Sequence, residues 1–192
     1  MFLQRTRVYG RENVPKGEGL IFVSNHISNL DPPFLGSMPK QRVLFLAKQE
    51  LFEARFLSWL LPLIGQIPVA RGKGGSKALK EAAKILKKKF ASIGIFPEGT
   101  RSKSGQPFEL EPHTGFLVLG KLSGAPMIPV KLSGTWEALP PSVKFPRRTD
   151  CKIHFGKPLD IDFKSLDLKD REALRELAHK VMLHIDSLDR ED

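Results

Sequence analysis

Leu20-Ile21-Phe22-Val23-Ser24-Asn25-His26-Ile27-Ser28-Asn29-Leu30-Asp31-Pro32-Pro33 opens as an unbroken apolar run and turns polar within one residue. Four apolar residues without alternation suit a strand covered on both faces, as in the middle of a parallel sheet. Asp followed by proline suits the start of a helix, so the stretch reads as strand, turn and helix. Similar runs follow at Val43-Leu44-Phe45-Leu46, Ile93-Gly94-Ile95-Phe96 and Met127-Ile128-Pro129-Val130, with a last strand around Lys152 to Phe155. Between them, Ser76 to Phe90 sets Leu79, Ala82, Ala83, Leu86 and Phe90 on one helical face, with Lys77, Lys80, Lys84, Lys87 and Lys88 mostly on the other. Leu174, Leu177, Ala178, Val181, Met182 and Ile185 predict a C-terminal helix over about 167–188, with Asp167 or Ser165 as its N-cap. Strands alternating with helices predict one α/β domain over residues 1–192, with a central, mostly parallel or mixed sheet flanked by helices.

Composition narrows the partners. The chain has 192 residues, 41% hydrophobic and 27% charged, which fits a folded domain with a sizeable core. Lys and Arg exceed Asp and Glu by 31 to 21, a formal +10 that favours an anionic partner: nucleic acid, a membrane face or phosphorylated substrates. Cys151 is the single cysteine and reads as a small buried hydrophobe in a reducing compartment. The N-terminus lacks the apolar core of a signal peptide. Phe56 to Val69 is interrupted by Pro62, Gly65, Gln66 and Pro68, short of the roughly 20 apolar residues of a spanning helix. The expected location is therefore peripheral, on the cytoplasmic face of a membrane. Leu51-Phe52, Phe56-Leu57, Trp59-Leu60-Leu61 and Leu63-Ile64, with Lys48, Arg55 and Arg71 around them, read equally as an interfacial helix or as core.

The chemistry concentrates where strands end. A histidine oriented by a carboxylate can take a proton from a hydroxyl and return it to a leaving group, and His26 with Asp31 offers that pair. Asp31 also suits an N-cap, and the two roles are compatible. In Phe96-Pro97-Glu98-Gly99-Thr100-Arg101-Ser102, Gly99 lets backbone approach a ligand, while Thr100, Ser102 and the fork of Arg101 suit phosphate oxygens. Glu98 would repel an anion; it reads as an acceptor for a substrate hydroxyl or as the partner of an arginine. Arg71, ending the strand-like run Gly65-Gln66-Ile67-Pro68-Val69-Ala70, and Lys48, after Phe45-Leu46-Ala47, are weak candidates taken singly.

Together these segments resemble the HxxxxD glycerolipid acyltransferases. Asn25-His26 with Asp31-Pro32-Pro33 is similar to the family's first block, Gly65 to Arg71 to the second, Phe96 to Ser102 to the third and Ile128-Pro129-Val130 to the fourth, in order, over about residues 5–160. The wording of the third block is typical of its 1-acyl-sn-glycerol-3-phosphate acyltransferases. The resemblance implies transfer of an acyl group from acyl-coenzyme A or acyl carrier protein to lysophosphatidic acid, forming phosphatidic acid. His26 and Asp31 would be catalytic, and Arg71, Glu98, Gly99, Thr100, Arg101 and Lys48 would hold the glycerol phosphate, with no cofactor or metal. Glycerol 3-phosphate or another lysophospholipid is an alternative acceptor. A basic lipid- or nucleic-acid-binding protein without catalysis is the alternative class, but the lysines of 84–89 read as the polar side of a helix, and no nucleic-acid motif is present.

Overall fold

The computed structural model describes residues 5–16, 19–48, 66–69, 73–89, 91–102, 104–143 and 145–190. Among them, seven strands form one sheet: β1 (Arg5–Tyr9), β2 (Ile21–Ser24), β3 (Val43–Lys48), β4 (Gln66–Val69), β5 (Ser92–Ile95), β6 (Met127–Ser133) and β7 (Asp150–Phe155). Their order across the sheet is β1-β7-β6-β2-β5-β3-β4. Every neighbouring pair is parallel except β6 and β7, so the sheet is mixed and mostly parallel. The helices are α1 (Asp31–Gly36), α2 (Lys73–Lys87), α3 (Gly115–Ser123), α4 (Thr135–Ala138) and α5 (Arg171–Ser187).

Both faces of the sheet are covered, which is why its central strands are apolar without a break. Ile21 and Val23 of β2 point into one core with Ala82, Leu86, Phe116, Leu119, Leu174 and Met182 from α2, α3 and α5. Phe22 and the preceding Leu20 point into the other, with Phe34 and Leu35 of α1, Val130 and Leu132 of β6 and Ile153 of β7. Pro129 is tolerated inside β6 because its carbonyl accepts from Gly156 N–H, on the side away from β2. The missing proline N–H lies on that same side, so pairing with β2 loses nothing. Cys151 is buried in the second core, and burial pushes its thiol up to about 11, as expected of an inert side chain.

Two expectations are revised. The first long helix spans Lys73–Lys87 rather than Ser76–Phe90, and Lys89 takes a left-handed turn after it. Phe90 lies outside the described residues. The last helix starts later than expected: Asp170 accepts from Ala173 N–H at 3.0 Å and is the true cap, while Asp167 closes a separate turn by accepting from Lys169 N–H. At the far end of α5, the buried Lys131 of β6 donates to Asp186 and Asp189 at 3.0 and 2.7 Å, tying the helix to the sheet. Among the described residues no helix is long and apolar enough to cross a membrane. The stretch read as an interfacial helix, from Leu51 to Ile64, falls outside them.

Candidate active site

Strands β2, β5, β3 and β4 are parallel neighbours, so the segments that follow them emerge at one end of the sheet. That is where ligands gather in open α/β sheets. The loop after β2 carries His26, and the loop after the adjacent β5 carries Glu98. Lys48 closes β3 and Arg71 follows β4; Arg71 and the Lys48 side chain lie outside the described residues.

His26 Nδ1 stands 2.8 Å from Asp31 Oδ2. An ionised carboxylate only accepts, so Nδ1 carries the proton and Nε2 keeps its lone pair for chemistry. The Asp31 side chain is fully buried, and its Oδ2 also accepts the Ile27 and Ser28 N–H groups at 2.7 Å each. Helix α1 starts at Asp31 itself, and among the described residues no side chain caps it. The carboxylate therefore reaches back over the turn towards the histidine, and the capping expectation is not met. The imidazole stacks on Phe96 (centroids 4.3 Å apart), and Phe96 stacks on Phe45. That column needs Gly94, because a Cβ there would lie 2.2 Å from the Phe45 ring. Asn25, fully buried before the histidine, donates to Leu132 O and accepts Leu132 N–H. This side chain extends the β2–β6 ladder by one rung and fixes where His26 leaves the sheet.

Glu98 is 3% exposed. Its Oε1 accepts the His26 backbone N–H at 2.9 Å, and Oε2 is buried with no hydrogen-bond partner among the described residues. Burial pushes its carboxyl up to about 7, against the opposing pull of the His26 N–H. Near neutrality it exists as acid and carboxylate in comparable amounts, so repulsion of an anion is weaker than the sequence suggests. Gly99 has φ +64°, and a Cβ there would lie 2.6 Å from the His113 ring. Thr100 is exposed and Arg101 half-buried on the same turn. Ser102, read as suited to phosphate, is instead buried and donates to Glu109 at 3.0 Å. Its backbone N–H donates to His26 O, joining the two loops directly.

One contact had no signature in the sequence. The buried Thr135 hydroxyl donates to Asp31 Oδ1 at 2.6 Å, across 104 positions.

This arrangement suits proton transfer at a site formed by several loops. The family model described as Acyltransferase matches residues 5–133. Over 171 residues the chain is 31% identical to the 1-acyl-sn-glycerol-3-phosphate acyltransferase of Bacillus subtilis (strain 168), covering 87% of this chain and 80% of that one. It is 32% identical over 185 residues to 1-acyl-sn-glycerol-3-phosphate acyltransferase BAT2, chloroplastic, of Brassica napus, spanning 93% of this chain and 52% of that longer protein. The crystal structure of the 1-acyl-sn-glycerophosphate (LPA) acyltransferase PlsC from Thermotoga maritima superposes with a TM-score of 0.74 at 26% identity, over 97% of this chain and 73% of the other. Since the matched residues carry both the histidine–aspartate pair and the Glu98 loop beside it, the chain belongs to the acyltransferase family.

Proposed function

We propose that this chain, as one acyltransferase domain over residues 1–192, moves a fatty acyl group from a thioester donor to the sn-2 hydroxyl of 1-acyl-sn-glycerol 3-phosphate, giving phosphatidic acid. The donor is acyl-coenzyme A or acyl carrier protein. The observation that carries this reading is the 2.8 Å His26–Asp31 contact, which commits Nδ1 and leaves Nε2 basic. Nε2 takes the hydroxyl proton as the oxygen attacks the thioester carbonyl. The tetrahedral adduct then collapses, the C–S bond breaks, and the imidazolium gives its proton to the departing sulfur, which leaves as the thiol and restores neutral His26. Direct transfer needs no acyl-enzyme. Thr100, Arg101 and the Gly99 backbone hold the phosphate, joined by Arg71 and Lys48. Glu98, whose Oε2 is buried and unpartnered among the described residues, joins them in holding the acceptor. The names of the relatives support this acceptor.

The test crosses lysophosphatidic acid and glycerol 3-phosphate with each donor and identifies the product by mass. Phosphatidic acid is expected. Its absence, with lysophosphatidic acid formed from glycerol 3-phosphate instead, would move the acceptor assignment.

The acceptor is an amphiphile, and the same proposal has the chain meet it peripherally, at an anionic cytoplasmic leaflet. Support comes from the loop between α4 and β7, which opens at the end of the sheet where His26 sits. It holds Phe145 out at 81% exposure, beside the exposed Arg147 and Arg148. The Phe145→Glu variant is expected to partition onto vesicles containing phosphatidylglycerol about tenfold more weakly than wild type. Equal co-sedimentation of the two would remove this loop from membrane contact.

A further inference from the structure

We propose that Thr135 is a positioning residue of this site, whose hydroxyl locks the Asp31 carboxylate in the plane that holds the His26 imidazole. This rests on the acyl-transfer reading above and goes beyond it, since Thr135 lies outside the residues that the family model matches.

Three donors converge on Oδ2 of Asp31: His26 Nδ1 and the Ile27 and Ser28 N–H groups. Three bonds to one oxygen fix that atom but leave the carboxylate free to twist about it. Its plane is set by what Oδ1 does, and among the described residues Oδ1 has one donor, Thr135 Oγ1 at 2.6 Å. A bond that short to a buried carboxylate is charge-assisted and directional. Both side chains are fully buried, so water does not readily replace the hydroxyl.

The backbone around Thr135 is built to place it. Gly134 turns the chain out of β6 with φ +81°, and a Cβ there would meet the Asp150 carbonyl oxygen at 2.1 Å. Only glycine allows that close a turn against β7. Two residues earlier, Leu132 is bonded on both its backbone groups to Asn25, next to the histidine. Thr135 and His26 are thus held to the same rung of the sheet, and Asp31 is gripped between them. The hydroxyl acts on catalysis through Asp31 and touches no substrate.

The test measures acyl transfer by the full chain carrying Thr135→Val, which keeps the shape, and Thr135→Ala, which keeps neither shape nor hydroxyl. Each is expected to lower kcat about 10- to 30-fold with KM for both substrates unchanged within twofold, as for a misplaced catalytic group. Thr135→Ser restores the donor and is expected to stay within about threefold of wild type. A loss of packing alone would not follow the hydroxyl in this way. In an Asp31→Asn background, where the ionised carboxylate is already gone, Thr135→Val is expected to cost less than twofold more. Wild-type kcat in the valine and alanine variants, an effect on KM alone, or the same loss repeated in the Asn background would overturn the positioning role. If the wild-type chain transfers no acyl group to any acceptor, the acyl-transfer reading itself fails, which is a different result.

Discussion

Replacing His26 with alanine is expected to lower kcat for acyl transfer by about two to four orders of magnitude, the usual contribution of a positioned acid–base group. The fold is expected to survive. The imidazole side chain is 17% exposed, and the two strongest demands on it are local: one bond to Asp31 and one stack on Phe96. When the ring is removed, Asp31 keeps the Ile27, Ser28 and Thr135 donors, so no buried charge is stranded. The bond from the residue 26 N–H to Glu98 is made by backbone and persists in alanine. Stability should therefore fall by only about 1–2 kcal/mol. Single-turnover transfer and urea unfolding of the same preparation check both halves. Wild-type turnover in a folded His26→Ala chain would end the general-base mechanism.

Glu98→Gln is expected to act in opposite directions on stability and activity. The folded protein holds the Glu98 carboxyl at about 7, above its ordinary 4.5. Between those two values the folded state binds more protons than the unfolded one, so stability falls as pH rises. The cost approaches its full size above pH 7 and is at most about 3.5 kcal/mol, from roughly 1.4 kcal/mol per unit. Glutamine keeps a carbonyl for the His26 N–H and has no charge to desolvate. The variant should therefore gain stability over wild type at pH 8, and the gain should fade through pH 5 and be nearly gone at pH 4. Urea unfolding across that range is the measurement, and a pH-independent difference would show that Glu98 does not titrate as described. Transfer should decline, because the amide can neither share a proton nor accept a hydroxyl with its nitrogen.

What could be read in the sequence follows from burial. Strand β2 was legible because both its faces are covered, leaving Ile21, Phe22 and Val23 fully buried in sequence. Strand β1, Arg5-Thr6-Arg7-Val8-Tyr9, was not, because it lies at the sheet edge with every residue exposed or half-exposed and carries no apolar run. Helix α3 escaped for another reason: Phe116, Leu117, Leu119 and Gly120 are buried, but its half-buried side carries Val118 and Leu122, so no polar face gives the period away. At the site, the His26–Asp31 pair and the Glu98 turn were legible because each is a local pattern after a strand. Thr135 was not, since nothing in sequence links it to an aspartate 104 positions earlier. Ser102 misled for a similar reason. A hydroxyl near an arginine suits phosphate in sequence, but Glu109, seven residues on, has already claimed it.

Among the described residues strand β1 has one partner in the sheet, β7, and the two pair from Arg5 with Asp150 to Tyr9 with His154. During synthesis, then, β1 emerges from the ribosome long before β7. At a translation rate of about 5–20 residues per second, the 145 residues between its first register partners keep it waiting for roughly seven to thirty seconds. The inner strands β2, β3 and β5 can assemble in that time. The edge seam between β1 and β7 closes late, as a contact of such long sequence separation must. A ribosome stalled before residue 150 would hold a nascent chain whose inner strands can pair but whose β1 remains open to proteases.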